Sequence, residues 1–136
     1  MSAHSGSCLC GQVRYEVTGG MRPVIACHCA QCRKTSGHYV AATSAPRDAI
    51  RIIGDVTWYA SSATARRGFC AICGSSLFWD GPGANLSIMA GTLDGETDLR
   101  LAGHIFAADK GDYYDINDPV PVTEEDDPDL TTQVPD

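Results

Sequence analysis

The chain has 136 residues, enough for one domain with a hydrophobic core and too few for two ordinary domains. Seven of its 17 acidic residues fall in residues 117–136, which contain no Lys or Arg, so the ten acids of residues 1–116 balance the ten basic residues. A neutral body with an acidic tail argues against nucleic-acid binding through phosphate contacts. No apolar run approaches the roughly 20 residues of a membrane span, and no signal peptide is recognisable, so we expect a cytoplasmic protein without membrane association.

Short strands are predicted nearly throughout the body, separated by Gly, Pro and Asp. The segment QVRYEV alternates cleanly, with Val13, Tyr15 and Val17 on one face. A turn of helix is predicted at 31–35. The predicted strands are 12–17, 22–27, 38–45, 49–53, 56–60, 64–69, 75–79, 86–93 and 102–107.

These patterns predict a mainly β fold of short antiparallel strands with little helix. The predicted domain spans residues 1–116. Residues 117–136 have four prolines, seven acids and no aromatic residue, a composition that predicts a mostly disordered tail.

The seven cysteines fall into three short clusters. An odd number cannot form a complete set of disulfides, and cytosolic thiols are normally reduced. Isolated cysteines are usually small buried hydrophobic residues, but packing does not explain repeated C-x-C and C-x-x-C spacing. The clusters therefore predict metal binding. Their members are Cys8 and Cys10; Cys27, Cys29 and Cys32; and Cys70 and Cys73.

Two of the clusters, CLCG at 8–11 and CAICG at 70–74, end in a glycine that leads into a predicted strand. Sulfurs on one tetrahedral zinc lie about 3.8 Å apart, since Zn–S bonds are about 2.3 Å long. The chain must bend tightly to bring the sulfurs so close, and glycine permits the bend. We therefore expect two metal knuckles on adjacent hairpins that form one closed, structural zinc site. Its ligands would be Cys8, Cys10, Cys70 and Cys73.

The remaining cluster, CHCAQC at 27–32, has three cysteines and no fourth to complete it. Four plus three sulfurs indicate one closed zinc site and one with an open position for chemistry. Two alternatives stay open. One is a second closed site with His28, His38 or His104 as fourth ligand, although His28 points away from its neighbours in an extended segment. The other is a thiol redox centre without metal.

Basic and aromatic residues accompany the clusters. Three thiolates on one zinc leave a net negative charge, so neighbouring cations favour such a site and can hold substrate carboxylates. We expect Arg33 and Lys34 to bind substrate in this way, and His38 to contact substrate or transfer a proton near pH 7. Six further residues have two readings. The arginines contribute to the site or to the solvated surface, and the aromatic residues line the site or belong to the core: Arg66, Arg67, Tyr39, Trp58, Tyr59 and Trp79.

The stretches GSCLCGQVRYEV, CHCAQCRKTSG and FCAICGSSLFW resemble the glutathione-dependent formaldehyde-activating (Gfa-type) family, as does the later GHIFAADKGDYYDINDPVP. The likeness runs from about residue 6 to residue 121 and places all seven cysteines on the family's pattern. It implies an Mss4-like β-tent with two zinc ions per chain. The four-cysteine set would hold the structural zinc, and Cys27, Cys29 and Cys32 the catalytic zinc.

The resemblance implies a reaction that joins glutathione and formaldehyde into S-hydroxymethylglutathione, classed as a carbon–sulfur lyase. An open zinc can bind a thiol as its thiolate or polarise an aldehyde oxygen. Two alternatives are a carrier that binds glutathione without catalysis and a non-catalytic interaction module, since the architecture is similar to that of centromere protein V and Mss4-like exchange factors. Methionine sulfoxide reduction on a related β-tent would need a cysteine outside the zinc sites, and none is left.

Overall fold

Ten short strands form two sheets in residues 3–135, the part of the chain that this computed structural model describes. A three-stranded sheet has the order β1-β2-β5, and a seven-stranded sheet has the order β10-β3-β4-β9-β8-β7-β6. The strands are β1 (Ala3–Ser7), β2 (Arg14–Thr18), β3 (Val24–Cys27), β4 (Val40–Pro46), β5 (Ile50–Ile53), β6 (Thr57–Ala60), β7 (Arg66–Phe69), β8 (Ser76–Asp80), β9 (Asn85–Met89) and β10 (Leu101–Ile105).

Helix is sparse, which confirms the prediction of a mainly β fold. The two α-helices are α1 (Ala30–Ser36) and α2 (Pro128–Thr131), and single 3₁₀ turns lie at Arg47–Ala49, Ala90–Thr92 and Ala107–Asp109. Within residues 3–135 no helix has the length and apolar character that crossing a membrane requires.

Each of the nine predicted strands overlaps an observed one, and the predicted helical turn lies within α1. Strand β1 is missing from the predictions because its sequence, AHSGS, has no apolar alternation. It pairs with β2 nonetheless, and Gly6 lies so close to the Tyr15 ring that a β-carbon there would be 2.2 Å from the phenolic oxygen. The expectation of antiparallel pairing fails at one place, because β10 runs parallel to β3.

The apolar residues separate into two clusters. The main core fills the space between the sheets, and the alternation predicted for β2 is confirmed there: Val13, Tyr15 and Val17 are buried, whereas Arg14 and Glu16 are exposed. A smaller cluster lies beside β3, α1 and β4. Its buried members are Cys32, Val40, Ala42 and Met89, with Cys27, Cys29 and Trp79 packed against them.

Parts of the acidic tail are hydrogen-bonded to the body, and the disorder predicted for residues 117–136 as a whole stays a prediction. The backbone N–H of His104 donates to Pro121 O at 2.9 Å, and that of Thr123 donates to His104 O at the same distance. Further along, Arg22 Nη1 donates to Thr131 O at 2.9 Å. The tail can pair in this way because β10 is an edge strand whose outer backbone groups are otherwise free. The division of the chain at residue 116 stays a prediction.

Candidate metal centres and cavity

The four-cysteine cluster joins the two sheets. Cys8 and Cys10 lie in the turn between β1 and β2, and Cys70 and Cys73 lie in the turn between β7 and β8. All four Sγ atoms lie within 4.8 Å of one another, and Cys10 Sγ is 3.7 Å from the Sγ atoms of both Cys8 and Cys70. These separations match tetrahedral coordination of one metal ion and are far too long for a disulfide.

The predicted bends of this cluster are present. Gly11 and Gly74, which follow the last cysteine of each turn, have φ values of 82° and 80°. Such left-handed conformations favour glycine. The two hairpins belong to different sheets rather than lying side by side in one, so the cluster ties the sheets together.

Hydrogen bonds favour the thiolate form at two of the four sulfurs, Cys8 and Cys73. The backbone N–H of Val13 lies 3.3 Å from Cys8 Sγ, and Cys70 is fully buried in the main core. The Ser75 hydroxyl, 3.3 Å from Cys73 Sγ, lowers the pKa of the Cys73 thiol to about 5. A lowered pKa favours the thiolate, which is the form that binds metal.

The three-cysteine cluster is formed where β3 passes into α1. Cys27 ends β3, Cys29 is the N-cap of α1, and Cys32 lies in the first turn of that helix. The backbone N–H of Cys32 donates to Cys29 Sγ at 3.4 Å, and the three sulfurs lie within 4.8 Å of one another. No histidine or carboxylate of residues 3–135 joins this group.

The three sulfurs share negative charge unequally. Hydrogen bonds from the Cys27 and Cys32 thiols lower the pKa of Cys29 to about 2, whereas the bond to Cys29 raises the pKa of Cys27. A thiolate is therefore already favoured at the helix N-cap. Cysteine sulfurs in sets of three or four are the soft donors that suit zinc, so both clusters fit a metal ion by their chemistry and spacing.

His28 points away from the sulfurs that flank it. Its ring lies between the Tyr114 hydroxyl, which bonds to Nδ1, and the ring of His104, whose Nδ1 is 2.8 Å from His28 Nε2. His104 Nε2 bonds in turn to the carboxylate of Asp118 at 2.9 Å. Burial lowers the pKa of His28 to about 4, so its ring is neutral at pH 7.

The two rings form one chain of hydrogen bonds that leads from Asp118 to Tyr114. The Asp118 carboxylate accepts from His104 Nε2, His104 Nδ1 is bonded to His28 Nε2, and His28 Nδ1 is bonded to the Tyr114 hydroxyl. Both buried histidines are thereby paired away from the three sulfurs. His38 is exposed and bonds to the Tyr113 hydroxyl at 2.7 Å. No histidine is thus positioned as the fourth ligand in the described part of the chain.

A cavity of about 760 Å³ opens onto the three-cysteine cluster. Its walls include Cys27, Cys29 and Cys32, the side chains of Trp79 and Met89, and Arg67. The tail contributes Asp126, Thr131 and Thr132 to the same walls. None of the four cysteines of the other cluster lines it. The arrangement brings a soft metal site, an apolar wall and a buried cation to one solvent-accessible space.

The predicted substrate contacts lie outside this lining. Arg33 and Lys34 lie on α1 and His38 just beyond it, and none of them contributes to the cavity wall. The cations of the wall are Arg22 and Arg67. Strand alternation offered a signal for Arg67, because it and Arg66 must point to opposite faces of β7. No comparable sequence pattern indicated that the cavity wall would include Arg22, Ser44 and the tail residues.

The aromatic residues divide between site and core. Trp79 lines the cavity, whereas Trp58 packs against Phe78 of the main core with a centroid distance of 6.2 Å. Tyr39 packs on the His28 ring at 4.7 Å, and Tyr59 is exposed. Of these four residues Trp79 borders the cavity, and Phe106, which follows β10, is a second aromatic residue in its wall.

Comparison with known proteins agrees with this architecture. Residues 3–109 match the family model described as glutathione-dependent formaldehyde-activating enzyme. The chain is also 29% identical over 119 residues to an uncharacterized lyase of Schizosaccharomyces pombe, a match that covers 85% of this chain and 87% of that protein. The match to the family model includes all seven cysteines of both clusters. The chain belongs to the glutathione-dependent formaldehyde-activating enzyme family.

Proposed function

We propose that this protein is a zinc-dependent carbon–sulfur lyase that forms S-hydroxymethylglutathione from glutathione and formaldehyde, or acts on a similar thiol adduct. The observation that carries the proposal is the cavity of about 760 Å³ that ends on a three-cysteine cluster without a fourth protein ligand among the described residues. Three protein ligands and a free position are typical of catalytic zinc. The family match and the lyase named among its relatives support the same reading.

The two clusters would have different roles, one structural and one catalytic. The four-cysteine cluster, two of whose members belong to the main core, would hold a structural zinc, and Cys27, Cys29 and Cys32 a catalytic zinc. Zinc at the second cluster would supply Lewis acidity, which lowers the pKa of a bound thiol or polarises an aldehyde oxygen. The proposed location is the cytoplasm, where thiols stay reduced.

The chain's own residues would hold the reactants and limit the water around them. In the forward reaction the glutathione thiol loses its proton and its sulfur bonds to the formaldehyde carbon, the π pair of the carbonyl moves to oxygen, and that oxygen takes up a proton in place of the one that the thiol lost. The reverse reaction breaks the carbon–sulfur bond. The apolar wall of Trp79, Met89 and Val40 reduces the water that hydrates the aldehyde.

Arg33, Lys34 and His38 remain proposed contacts to glutathione. Because they lie on α1 or just after it and outside the cavity wall, they would meet the part of the tripeptide that extends beyond the cavity. An exposed Lys34 contributes little per ion pair, so Lys34→Gln should weaken glutathione binding by only about twofold to threefold in a calorimetric titration.

The test is rate acceleration, because formaldehyde also adds to thiols without a catalyst. Exchange between free glutathione and S-hydroxymethylglutathione at equilibrium is measured by two-dimensional exchange NMR. We expect the exchange rate to rise in proportion to the concentration of zinc-loaded protein, and the Cys29→Ser variant to leave it at the buffer rate. Binding of glutathione without acceleration would instead identify a carrier, and neither binding nor acceleration would identify an interaction module.

A further inference from the structure

Two buried polar side chains in the cavity wall have hydrogen-bonding capacity left unused. Arg67 is 7% exposed and Ser44 is 2% exposed, and both line the cavity. Arg67 Nε and Ser44 Oγ have no hydrogen-bond partner among the described residues. An unpaired buried polar group costs free energy, so a ligand or water in the cavity that paired with these groups would recover that cost.

Arg67 lies directly beside the three-cysteine cluster. Its Nη2 is 3.7 Å from Cys32 Sγ and donates to Gln31 Oε1 at 3.2 Å. None of the ion pairs formed by the described residues involves Arg67, although the Asp126 carboxylate lines the same cavity. The guanidinium is thus a buried cation with the sulfurs on one side and no carboxylate partner.

Arg66 and Arg22 are already engaged, and Arg33, which follows Cys32 on α1, does not line the cavity. Arg66, on the outer face of β7, bonds through Nε to Asp80 at 2.9 Å and lies over the Trp58 ring at 4.0 Å. Arg22, the second cation of the cavity, donates from Nη1 to Thr131 O at 2.9 Å and from Nη2 to Ala42 O at 2.7 Å. Arg67 is therefore the cavity cation with a donor left for an anionic ligand.

We propose that Arg67 determines specificity by selecting thiols that carry a carboxylate, with the Ser44 hydroxyl as a second donor in the same cavity. A guanidinium pairs with a carboxylate through charge-assisted hydrogen bonds, which are stronger than those between neutral groups. The class of ligand is a small anionic thiol whose sulfur lies at the three-cysteine cluster while its carboxylate meets Arg67. This inference rests on the proposed function, since it assumes that the cavity binds a thiol.

The experiment compares two thiols of nearly the same size and shape on the zinc-loaded protein. 3-Mercaptopropionate carries a carboxylate, and 3-mercaptopropionamide replaces it with a neutral amide. We expect the wild type to bind the carboxylate at least about tenfold more tightly in calorimetric titrations, because a hydrogen bond to a charged group is the stronger kind. In Arg67→Gln this preference should fall to about onefold, while the affinity for the amide changes little.

Arg66→Gln is the matched control, because the neighbouring arginine faces solvent and already pairs with Asp80. It should keep the full preference. Ser44→Ala should lose a smaller part of it. Since Arg67 lies beside a metal ligand, zinc content and circular dichroism are measured for each variant, and Arg67→Lys provides a second test that keeps the charge. We expect Arg67→Lys to retain zinc and to lose part of the preference, because an ammonium lacks the planar fork.

The outcomes separate this inference from the proposed function. If the wild type bound both thiols equally, or if Arg67→Gln kept the tenfold preference, the assignment of Arg67 would be overturned while thiol binding stood. If the wild type bound glutathione but neither small thiol, this inference would be overturned while the proposed function stood; if it did not bind glutathione either, both would be overturned.

Discussion

The two cysteine clusters use the same ligand chemistry in different surroundings. The four-cysteine cluster lies at the junction of the two sheets, and Cys8 and Cys70 belong to the main core. The three-cysteine cluster belongs to the smaller apolar cluster and borders a cavity of about 760 Å³. The number of cysteines in each cluster therefore follows its surroundings. The set of four lies where the two sheets meet and would link them, whereas the set of three lies beside the cavity, where solvent can enter.

The largest effect is expected from replacing a cysteine of the four-cysteine cluster. Cys70→Ser removes a fully buried cysteine from the cluster that links the sheets. Structural zinc in small domains contributes about 10 kcal/mol or more of apparent binding free energy, which then counts as folding free energy. We expect Cys70→Ser to lose its cooperative thermal transition by circular dichroism. A well-folded Cys70→Ser protein would show that this cluster is not the structural one.

A smaller effect on the fold is expected from the other cluster. Cys29→Ser should stay folded with a cooperative transition and lose one of two metal ions, because Cys29 is half-buried beside the cavity and outside the main core. Metal content by native mass spectrometry and thermal unfolding test this together. If Cys29→Ser unfolded as completely as Cys70→Ser, the division between the clusters would be wrong.

Replacing His104, which is hydrogen-bonded to the buried ring of His28, should cost less stability than replacing Cys70. His104→Ala leaves the buried His28 ring without its partner at 2.8 Å, and an unpaired buried group costs about 1–3 kcal/mol. Urea denaturation of the metal-loaded protein measures the change. His38→Ala is the control, because His38 is exposed and its replacement should change stability by no more than about 0.5 kcal/mol. Equal effects of the two variants would contradict the buried chain.

The smallest effect is expected from the end of the tail. Deleting residues 128–136 removes the hydrogen bond from Arg22 to Thr131 and the contact of Leu130 with Gly103, so we expect a loss of about 1 kcal/mol in urea denaturation. Because Thr131 and Thr132 line the cavity, a chelator should also reach the metal of the three-cysteine cluster faster. Deleting residues 133–136 alone should change neither quantity.

Much of the site could be predicted from local patterns. The glycines after Cys10 and Cys73 identified the bends, and counting seven sulfurs separated a set of four from a set of three. Alternation in β2 predicted its buried face because that strand is covered on one side only. These features depend on residues close together in the chain, which is why sequence patterns reveal them.

The remainder depends on contacts between distant residues. Tail residues 121–125 pair along the open edge of β10, which an acidic, proline-rich composition does not reveal. His28 and His104 are 76 positions apart and meet because β10 lies parallel to β3. The sequence placed Arg33 and Lys34 near the three cysteines, but the cavity opens on a side where Arg67 lies instead. The side of the three cysteines on which the cavity opens is determined by the packing of the strands and not by the CHCAQC sequence.

The release of metal to a chelator tests the division between the clusters most directly. The fully loaded protein is mixed with excess 4-(2-pyridylazo)resorcinol under native conditions, and the appearance of the metal complex is followed over time. We predict two equal phases, a fast one from the cluster at the cavity and a slow one that follows unfolding, with only the slow phase left in Cys29→Ser. A single phase, or a Cys29→Ser variant that keeps the fast phase, would contradict this prediction.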